Sequence, residues 1–316
     1  MKKIILLVTA ICCCLGSELR LMFWNVENLF DIRDDPKTQD GDFMPGGAKR
    51  FTYRAYALKS RHTAEVINHV NPDLLAMVEV ENREVLEDLA DQLYHYNDWE
   101  ICINEGPDIR GIEPALMFRR KKFALAGCRY YSVFIEARGY HSRPLMRADL
   151  AVTGTEDTLV LFIIHWPSRR GGKALTDPYR LYAASVLHSA VREVRKEHPG
   201  YAILMTGDFN DDAADTCLRY LEEHPDIRYL ATKRPRHVFG SYYYEGEWVQ
   251  FDHFLTSGFE NSGLELRSAS LIAPFWMREI PGQGPLRFYK GMEISGGYSD
   301  HYPICLKLGL KRKIIE

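Results

Sequence analysis

Residues 201–210 of the 316-residue chain read YAILMTGDFN, a short apolar run that leads directly into Asp208 and Asn210. Short apolar runs that end at turn residues are typical of strands buried in a sheet. The same arrangement recurs along the chain, where one run after another ends in a carboxylate, an amide or an imidazole. One polar terminus is ordinary, but this repetition predicts several strands that converge on a single polar site.

Outward from this stretch, short apolar runs alternate with helical patterns, and no repeat, low-complexity tract or linker interrupts them. Residues 53–71 and 177–196 are predicted as amphipathic helices because their apolar residues recur near a 3.6-residue spacing, and residues 85–94 as a shorter helix. Residues 31–50 and 274–297 are predicted as long loops with a functional role, since such loops are uncommon in compact domains. The other predicted strands are residues 19–25, 73–80, 115–118, 148–152, 158–165, 249–255 and 302–308.

The polar residues near the predicted strand ends are of the kinds that phosphate-ester hydrolysis requires. That reaction needs a hard cation, a positioned water, donors for the developing negative charge and help for the leaving oxygen. Carboxylate oxygens suit Mg²⁺, which keeps several of its waters, and a carboxylate beside a histidine orients the imidazole. These residues are Asn25, Glu27, Glu79, His165, Asp208, Asn210, Asp252, Asp300 and His301.

Four segments that carry most of these residues resemble the ordered motifs of the endonuclease/exonuclease/phosphatase superfamily. They read FWNVEN at residues 23–28, PDLLAMVEV at 72–80, GDFN at 207–210 and SDHYP at 299–303. The GDFN segment alone is a weak signal, whereas the four together and in order are specific. The resemblance implies an α/β fold: a four-layer αββα sandwich in which helices flank two mixed, mainly antiparallel sheets.

The resemblance also implies a metal site. Glu79 is the implied principal ligand of Mg²⁺, for which Mn²⁺ or Ca²⁺ can substitute. Asn25 is expected beside the ion, where it orients metal water or phosphate, and Asp300 is expected near it. Glu27 is a weaker candidate ligand than Glu79, and it is expected to contact the metal ligands instead of the ion.

The same resemblance implies catalytic roles for five residues. Asp208 positions or activates the attacking water, and Asn210 donates to the developing charge. Asp252 orients the imidazole of His301, which contacts the scissile phosphate or acts as general base. His165 is similar to the second histidine of the deoxyribonuclease and sphingomyelinase branches. The identity of the base and the number of metal ions stay open.

Four further charged residues are candidates with weaker support. Glu113 is predicted to orient His165, on a loose alignment. Arg169 and Arg170 closely follow His165 and are predicted to bind substrate phosphate, as is Arg143. A solvated surface is the alternative for all three arginines.

Residues 1–17 are predicted to form a secretory signal. Lys2 and Lys3 precede an apolar run at residues 4–15, and small residues follow it. The run is shorter than the roughly 20 apolar residues that span a bilayer, and a buried first strand is the alternative. Three cysteines at residues 12–14 leave a further alternative, a lipid-modified N-terminus attached to the outer membrane.

The rest of the chain, residues 18–316, is predicted to form one periplasmic or extracellular domain, a monomer without an obligate protein partner. The chain has 40 basic and 43 acidic residues, which excludes a strongly basic protein that binds any nucleic acid tightly. A local basic groove is compatible with this balance of charges.

The predicted domain contains four widely spaced cysteines, Cys102, Cys128, Cys217 and Cys305. No cysteine metal site is therefore predicted. Cys128 and Cys305 are predicted to be buried, and export permits a disulfide without demanding one.

Extracellular nucleic acid is the predicted phosphodiester substrate, from the two histidines and the predicted export. The alternatives are a sphingomyelinase-like phospholipid phosphodiesterase and an inositol or sugar phosphatase. Aromatic residues at positions 242–248 and 275–276 are able to stack bases or to touch lipid. A third class, a non-catalytic binding scaffold, is disfavoured by the intact metal and Asp–His set.

Overall fold

The computed structural model describes residues 18–136, 139–279 and 284–311, so the predicted signal at residues 1–17, with its cysteines, lies outside the described residues. The four helices are α1 (Tyr53–Val70), α2 (Arg83–Ala90), α3 (Lys173–Glu197) and α4 (Thr216–Glu222). In chain order the strands are β1 (Leu19–Leu29), β2 (Leu74–Val80), β3 (Trp99–Ile103), β4 (Glu113–Arg119), β5 (Phe123–Ile135), β6 (Tyr140–Val152), β7 (Thr158–His165), β8 (Ala202–Asp208), β9 (Arg228–Leu230), β10 (Tyr242–Tyr244), β11 (Glu247–Val249), β12 (Asp252–Ser257), β13 (Leu264–Leu271), β14 (Tyr289–Lys290), β15 (Glu293–Ile294) and β16 (Ile304–Leu310).

Twelve of these strands form two six-stranded sheets of similar design, and the other four form the β10–β11 and β14–β15 hairpins. The first has the order β13-β16-β1-β2-β4-β3, and the second has the order β5-β6-β7-β8-β12-β9. Each sheet is antiparallel except for one pair at its centre, β1 with β2 and β7 with β8. Helix α1 connects the first parallel pair and α3 connects the second, because parallel neighbours need a crossover.

The two faces of β7 show how the layers stack. Side chains alternate between faces along a strand, and Val160, Phe162 and Ile164 pack with α3 and α4. Leu161 and Ile163 belong instead to the core that contains the first sheet, α1 and α2. The chain is therefore a four-layer αββα sandwich with mixed, mainly antiparallel sheets, and the predicted fold class is confirmed.

Helix α1 shows how local sequence sets an element's limits. The hydroxyl of Thr52 accepts the N–H of Ala55 at the N-terminus, and Asn71 ends the helix in the left-handed conformation. Both are residues favoured at these positions. No helix in the described part of the chain is both long and apolar enough to cross a membrane.

The predicted elements differ from the observed ones in identifiable places. Strand β7 has the predicted limits, whereas residues 249–255 were predicted as one strand and are divided between β11 and β12. Strand β5 was missed because it is a sheet edge whose residues are mostly exposed or half-buried, so it has no continuous apolar run. The predicted loop at 274–297 contains the β14–β15 hairpin.

Candidate active site

A cleft of about 930 Å³ opens where the C-terminal ends of β1, β2, β7 and β8 meet. Most of the residues singled out in the sequence contribute to its walls, although they come from five strands (β1, β2, β6, β7 and β8), from the loops after β7 and β8 and from the loop before β16. Those that line the cleft are Asn25, Glu79, Arg143, His165, Arg169, Arg170, Asp208, Asn210, Asp300 and His301.

His301 is fixed in orientation by a buried carboxylate. Its Nδ1 lies 2.8 Å from Asp252 Oδ2, and its backbone N–H donates to Ser299 Oγ. Burial disfavours the charged imidazole, but the carboxylates of Asp252 and Asp208 outweigh it and raise the pKa of His301 to about 10. The ring is therefore protonated at neutral pH, with Nε2 directed away from Asp252 towards the cleft.

Asp208 stands between two imidazoles. Its Oδ2 lies 3.7 Å from His301 Nε2 and 3.8 Å from His165 Nε2, and it accepts the Asn25 amide at 3.1 Å. Burial raises the pKa of Asp208 to about 7, against the opposing effect of His301. A carboxyl group with a pKa near neutrality is suited to accept a proton from water.

The residues around Asp208 are held by the close approach of β7 and β8. A Cβ atom on Gly207 would lie 2.1 Å from Ile164 O, so only glycine fits between the strands at this point. Asn210 has a positive φ of 50°, and its backbone N–H donates to Asp208 Oδ1. One N–H of its side-chain amide goes to Trp166 O, which leaves the second for a ligand in the cleft.

His165 is the neutral histidine of the pair. Its Nε2 lies 3.6 Å from Glu79 Oε1 as well as facing Asp208. Burial, followed by the guanidinium groups of Arg143 and Arg110, keeps the pKa of His165 well below its ordinary value. The two cleft histidines thus differ in charge at neutral pH.

The prediction that Glu113 orients His165 is wrong in this structure. The carboxylate of Glu113 accepts the backbone N–H of Gly106 at 2.8 Å, and His165 Nδ1 has no hydrogen-bond partner among the described residues. Glu113 is buried at the start of β4, where burial raises its pKa to about 8. Its carboxylate therefore stabilises the loop that contains Gly106 and does not orient the imidazole of His165.

Glu79 is held by the ends of β1 and β2. It has a positive φ of 66°, its Oε2 accepts the N–H of Asn28 at 3.0 Å, and its Oε1 faces the Asn25 amide at 3.4 Å. Asn25 was predicted among the metal residues, but its Oδ1 accepts the N–H of Glu27. Asn25 therefore presents its NH₂ group to Glu79 and Asp208, and bridges the two carboxylates instead of offering an oxygen.

A buried carboxyl group and a buried amine, Glu27 and Lys59, lie beneath these carboxylates. Glu27 accepts the backbone N–H groups of Phe288 and Tyr289, and burial, with Asp300 nearby, raises its pKa to about 8. Lys59 of α1 is fully buried and donates to Tyr298 O at 2.7 Å. Burial lowers the pKa of Lys59 to about 8, while Glu27 and Asp300 oppose that change.

The donor set fits a hard divalent cation. Glu79 and Asp300 both line the cleft, and their carboxylates are partly exposed. The described residues include no cluster of three or more His, Cys, Asp or Glu side chains with metal-binding geometry. Mg²⁺ requires only one or two protein carboxylates because it keeps several waters. Glu79 and Asp300 are thus the residues that would hold such an ion.

The arginines that are predicted to bind substrate differ in how many hydrogen bonds and ion pairs their guanidinium groups already make. Each of the three guanidinium nitrogens of Arg143 donates one hydrogen bond, to Asp108 or to the carbonyls of His165 and Trp166. This buried side chain therefore supports the strand end that carries His165. Arg143 also lines the cleft, and its contact with phosphate stays a prediction. Arg170 is exposed at the cleft and has no ion-pair partner among the described residues.

Arg169 is intermediate between these two. It donates to Asn210 O at 2.8 Å and to Asp211 at 3.2 Å, and it pairs with Asp215. Its guanidinium lies 4.9 Å from the ring centre of Phe251 while still lining the cleft. Arg169 therefore supports Asn210 and adds positive charge to the same wall.

The β10–β11 hairpin also contributes to the cleft lining. The ring of Tyr242 lies 4.9 Å from that of His301, and Arg287 lies 5.2 Å above the ring of Tyr242. Glu245 and Glu247 at the hairpin turn line the cleft as well. The cleft lining thus combines arginine, aromatic and acidic side chains.

Several of these residues were missed in the sequence. Lys59 could have been found, because it falls on the buried stripe of α1 between Tyr56 and Thr63, at helical spacing. Arg287 and Tyr242 carry no comparable signal, since their neighbourhood depends on how the hairpin and the 284–311 segment pack.

Comparison with known proteins agrees with this fold. A model of the Endonuclease/Exonuclease/phosphatase family matches residues 20–310. A solved protein of that family from Bacteroides thetaiotaomicron is 14% identical, with a TM-score of 0.63 and coverage of 94% of this chain and 100% of that one. No curated relative matches the chain by sequence.

Two further solved structures share the fold. A mannosyl-6-phosphatase from Bacteroides thetaiotaomicron VPI-5482 is 14% identical, with a TM-score of 0.63 and coverage of 92% of this chain and 99% of that one. A truncated TDP2 from Caenorhabditis elegans is 18% identical, with a TM-score of 0.59 and coverage of 92% and 97%. At these identities the likeness shows the architecture alone.

Proposed function

The chain belongs to the endonuclease/exonuclease/phosphatase family and is a phosphoester hydrolase, and we propose that it cleaves phosphodiester bonds of nucleic acid with Mg²⁺. Enzymes of this family generally depend on a divalent metal ion. Mg²⁺ is the proposed ion because the available donors are carboxylate oxygens, and Mn²⁺ or Ca²⁺ are proposed to substitute.

One observation carries the choice of nucleic acid. Arg169, Arg170 and Tyr242 all line the cleft beside the Asp208–His301 pair. Phe251 contacts two of them, because its ring centre lies 4.9 Å from the Arg169 guanidinium and 5.1 Å from the Tyr242 ring. Guanidinium groups pair with phosphates, and aromatic rings stack on bases without regard to sequence. A strand that crosses the cleft would therefore meet both positive charge and a stacking surface.

The chain's own residues divide the reaction between them. Asp208, with its pKa near 7, is proposed to take the proton of the attacking water. The protonated imidazole of His301 is proposed to donate to the phosphate, and the free amide N–H of Asn210 to meet the developing charge. A divalent ion held by Glu79 and Asp300 would neutralise phosphate oxygens.

A sugar phosphomonoester is the second candidate, because Glu245 and Glu247 line the cleft beside Tyr242 and Tyr244. Carboxylates accept hydrogen bonds from hydroxyl groups, whereas they repel a phosphate backbone. The same two residues weigh against a phospholipid substrate, since the hairpin turn that would enter a lipid surface is charged. A substrate panel distinguishes both alternatives from the cleavage of nucleic acid.

The test is a substrate panel with purified protein. Plasmid DNA, single-stranded DNA, RNA, sphingomyelin, inositol phosphates and mannose 6-phosphate are each incubated with Mg²⁺, Mn²⁺, Ca²⁺ or a chelator, and released product is measured. We expect nucleic-acid cleavage that a chelator abolishes, and none from the His301→Ala variant. Turnover of mannose 6-phosphate alone would replace the nucleic-acid proposal with the second candidate, and no turnover at all would favour a non-catalytic scaffold.

Export and a monomeric state are further parts of the proposal. The lysines and apolar run within residues 1–17 support export, and the cysteines at 12–14 leave a lipid anchor as the alternative to free release. N-terminal sequencing of the protein recovered from periplasmic, membrane and medium fractions tests export and distinguishes free release from a lipid anchor. A cytoplasmic protein that retains Met1 would contradict export.

A further inference from the structure

Two cysteines face each other where an edge of one sheet meets an edge of the other. Cys102 lies on β3, the outermost strand of the first sheet, and Cys128 lies on β5, the outermost strand of the second. Their Sγ atoms are 3.1 Å apart, and both residues are half-buried. We propose that Cys102 and Cys128 are a disulfide site that joins the two sheets.

The geometry requires only a small movement to make the bond. A disulfide has sulfurs about 2.05 Å apart, so the two Sγ atoms must approach by about 1 Å. Strands β3 and β5 each have a ladder neighbour on one side only, which leaves their other side free to adjust. Cys217 and Cys305 are buried on α4 and β16, and they provide matched controls within the same chain.

The pair is also chemically prepared for exchange. The neighbouring thiol of Cys128 stabilises the thiolate of Cys102, which lowers the pKa of Cys102 to about 7 against the effect of burial. The thiolate is the species that attacks a disulfide. Half-buried sulfurs at a sheet edge remain within reach of a reagent, whereas Cys217 and Cys305 do not.

The oxidant is a disulfide, either a small molecule such as oxidised glutathione or a thiol–disulfide oxidoreductase. The Cys102 thiolate attacks one of its sulfurs, forms a mixed disulfide and expels the other sulfur as a thiol. Cys128 then attacks the Cys102 sulfur and expels the second thiol. Two electrons pass from the cysteine pair to the oxidant, which is reduced to two thiols that take up the two protons.

The consequence is a covalent link between layers that otherwise meet through their packed core. The bond would close a loop between positions 26 residues apart, with β4 inside it. Such a link restricts the unfolded chain more than the folded one, and so raises the melting temperature.

Peptide mapping tests the bond directly. The full-length protein is reduced, exposed to oxidised glutathione, alkylated and digested with trypsin. We expect peptides 84–110 and 123–129 to be recovered as one linked species in the wild type and in Cys305→Ser, and separately in Cys102→Ser. Recovery of both peptides alkylated and unlinked from the oxidised wild type would overturn the proposal.

A thermal measurement tests its structural effect. The difference in Tm between oxidised and reduced protein is taken within each variant, so that any baseline loss of stability cancels. We expect about 5 to 10 °C in the wild type and Cys217→Ser, and none in Cys128→Ser. An equal difference in Cys128→Ser would show that the effect arises elsewhere and would refute the link between the sheets.

Discussion

The β1–α1–β2 half and the β7–α3–β8 half contribute to the cleft in different ways. In the first half, strand register shifts occur between Asn25 and Leu29, and again after Met77. Glu27 and Glu79 both have positive φ there. In the second half, the β7–β8 register runs without a shift to the pairing of His165 with Asp208.

The difference indicates a division of work. Backbone in the left-handed region costs about 1–3 kcal/mol per residue and persists where the surroundings enforce it. In the first half this irregular backbone turns the carboxylate of Glu79 towards the cleft, where oxygen ligands are needed. In the second half the regular ladder places the imidazole of His165 beside the carboxylate of Asp208. Under the proposed function, the first half would hold the metal ion and the second would supply Asp208 as the proton acceptor, and we call them the metal-holding half and the proton-transfer half.

Among the variants that test this division, Glu79→Gln is expected to have the largest effect. Loss of the charge removes the main oxygen ligand, and we expect kcat to fall about 1000-fold, equivalent to about 4 kcal/mol in the barrier. The metal concentration for half-maximal activity should rise, and the Tm should change little because glutamine has the same shape. Glu245→Gln at the hairpin is the control and should retain metal dependence. Full activity of Glu79→Gln would refute the metal assignment.

Asp252→Asn acts next to the proton-transfer half, because Asp252 lies on β12 directly opposite Asp208 of β8. The asparagine cannot stabilise the charged imidazole of His301, and we expect kcat to fall about 100-fold. The metal requirement, measured by titrating Mg²⁺ into both proteins, should stay at the wild-type value. A joint change in kcat and metal requirement would show that the two halves are not separable.

Lys59→Met tests what supports the metal-holding half. Removal of this buried amine takes away the charge that favours ionised Glu27 and leaves Tyr298 O without its donor, and we expect the free energy of unfolding to fall by about 3 kcal/mol. Urea titration measures it. The Glu27→Gln/Lys59→Met double variant should recover part of the loss, whereas exposed Lys37→Met should stay within about 0.5 kcal/mol of wild type. A stable Lys59→Met would mean that the two charges are independent.

Arg170→Gln should have the smallest effect, because the residue lies at the cleft rim beyond the proton-transfer half. We expect KM for nucleic acid to rise about 3-fold with kcat unchanged, since the lost contact is equal in the ground and transition states. Arg192→Gln on the exposed side of α3 is the matched control. A fall in kcat without a change in KM would place Arg170 at the reacting centre instead.

The sequence was sufficient for most of the fold and for the polar set. Strands with apolar runs on both faces, such as β7, were found because the burial of both faces leaves a continuous signal. The edge strand β5 was not found because an edge strand has one exposed side. The proposed catalytic residues of the cleft were predictable because they lie at the ends of such runs or within the four motifs.

Contacts between segments that are distant in the sequence could not be predicted. The pairing of Cys102 with Cys128 depends on two sheets that meet at their edges. Arg143 is predicted to bind phosphate, with a solvated surface as the alternative, yet its side chain is buried against Asp108 from another loop. The role predicted for Glu113 rests on a loose alignment, which carries no information on the contact with His165.

Ser299 has a consequence for the life of the chain before it is complete. Its hydroxyl donates to the carbonyl of Asn25, 274 positions earlier, and accepts the N–H of His301. Synthesis proceeds from the N-terminus, so a growing chain has Glu79 and Asp208 long before it has His301. Under the proposed roles, the catalytic group would be complete only when the final strand pairs with the first. A nascent chain would then be inert towards the phosphoesters around the ribosome that makes it.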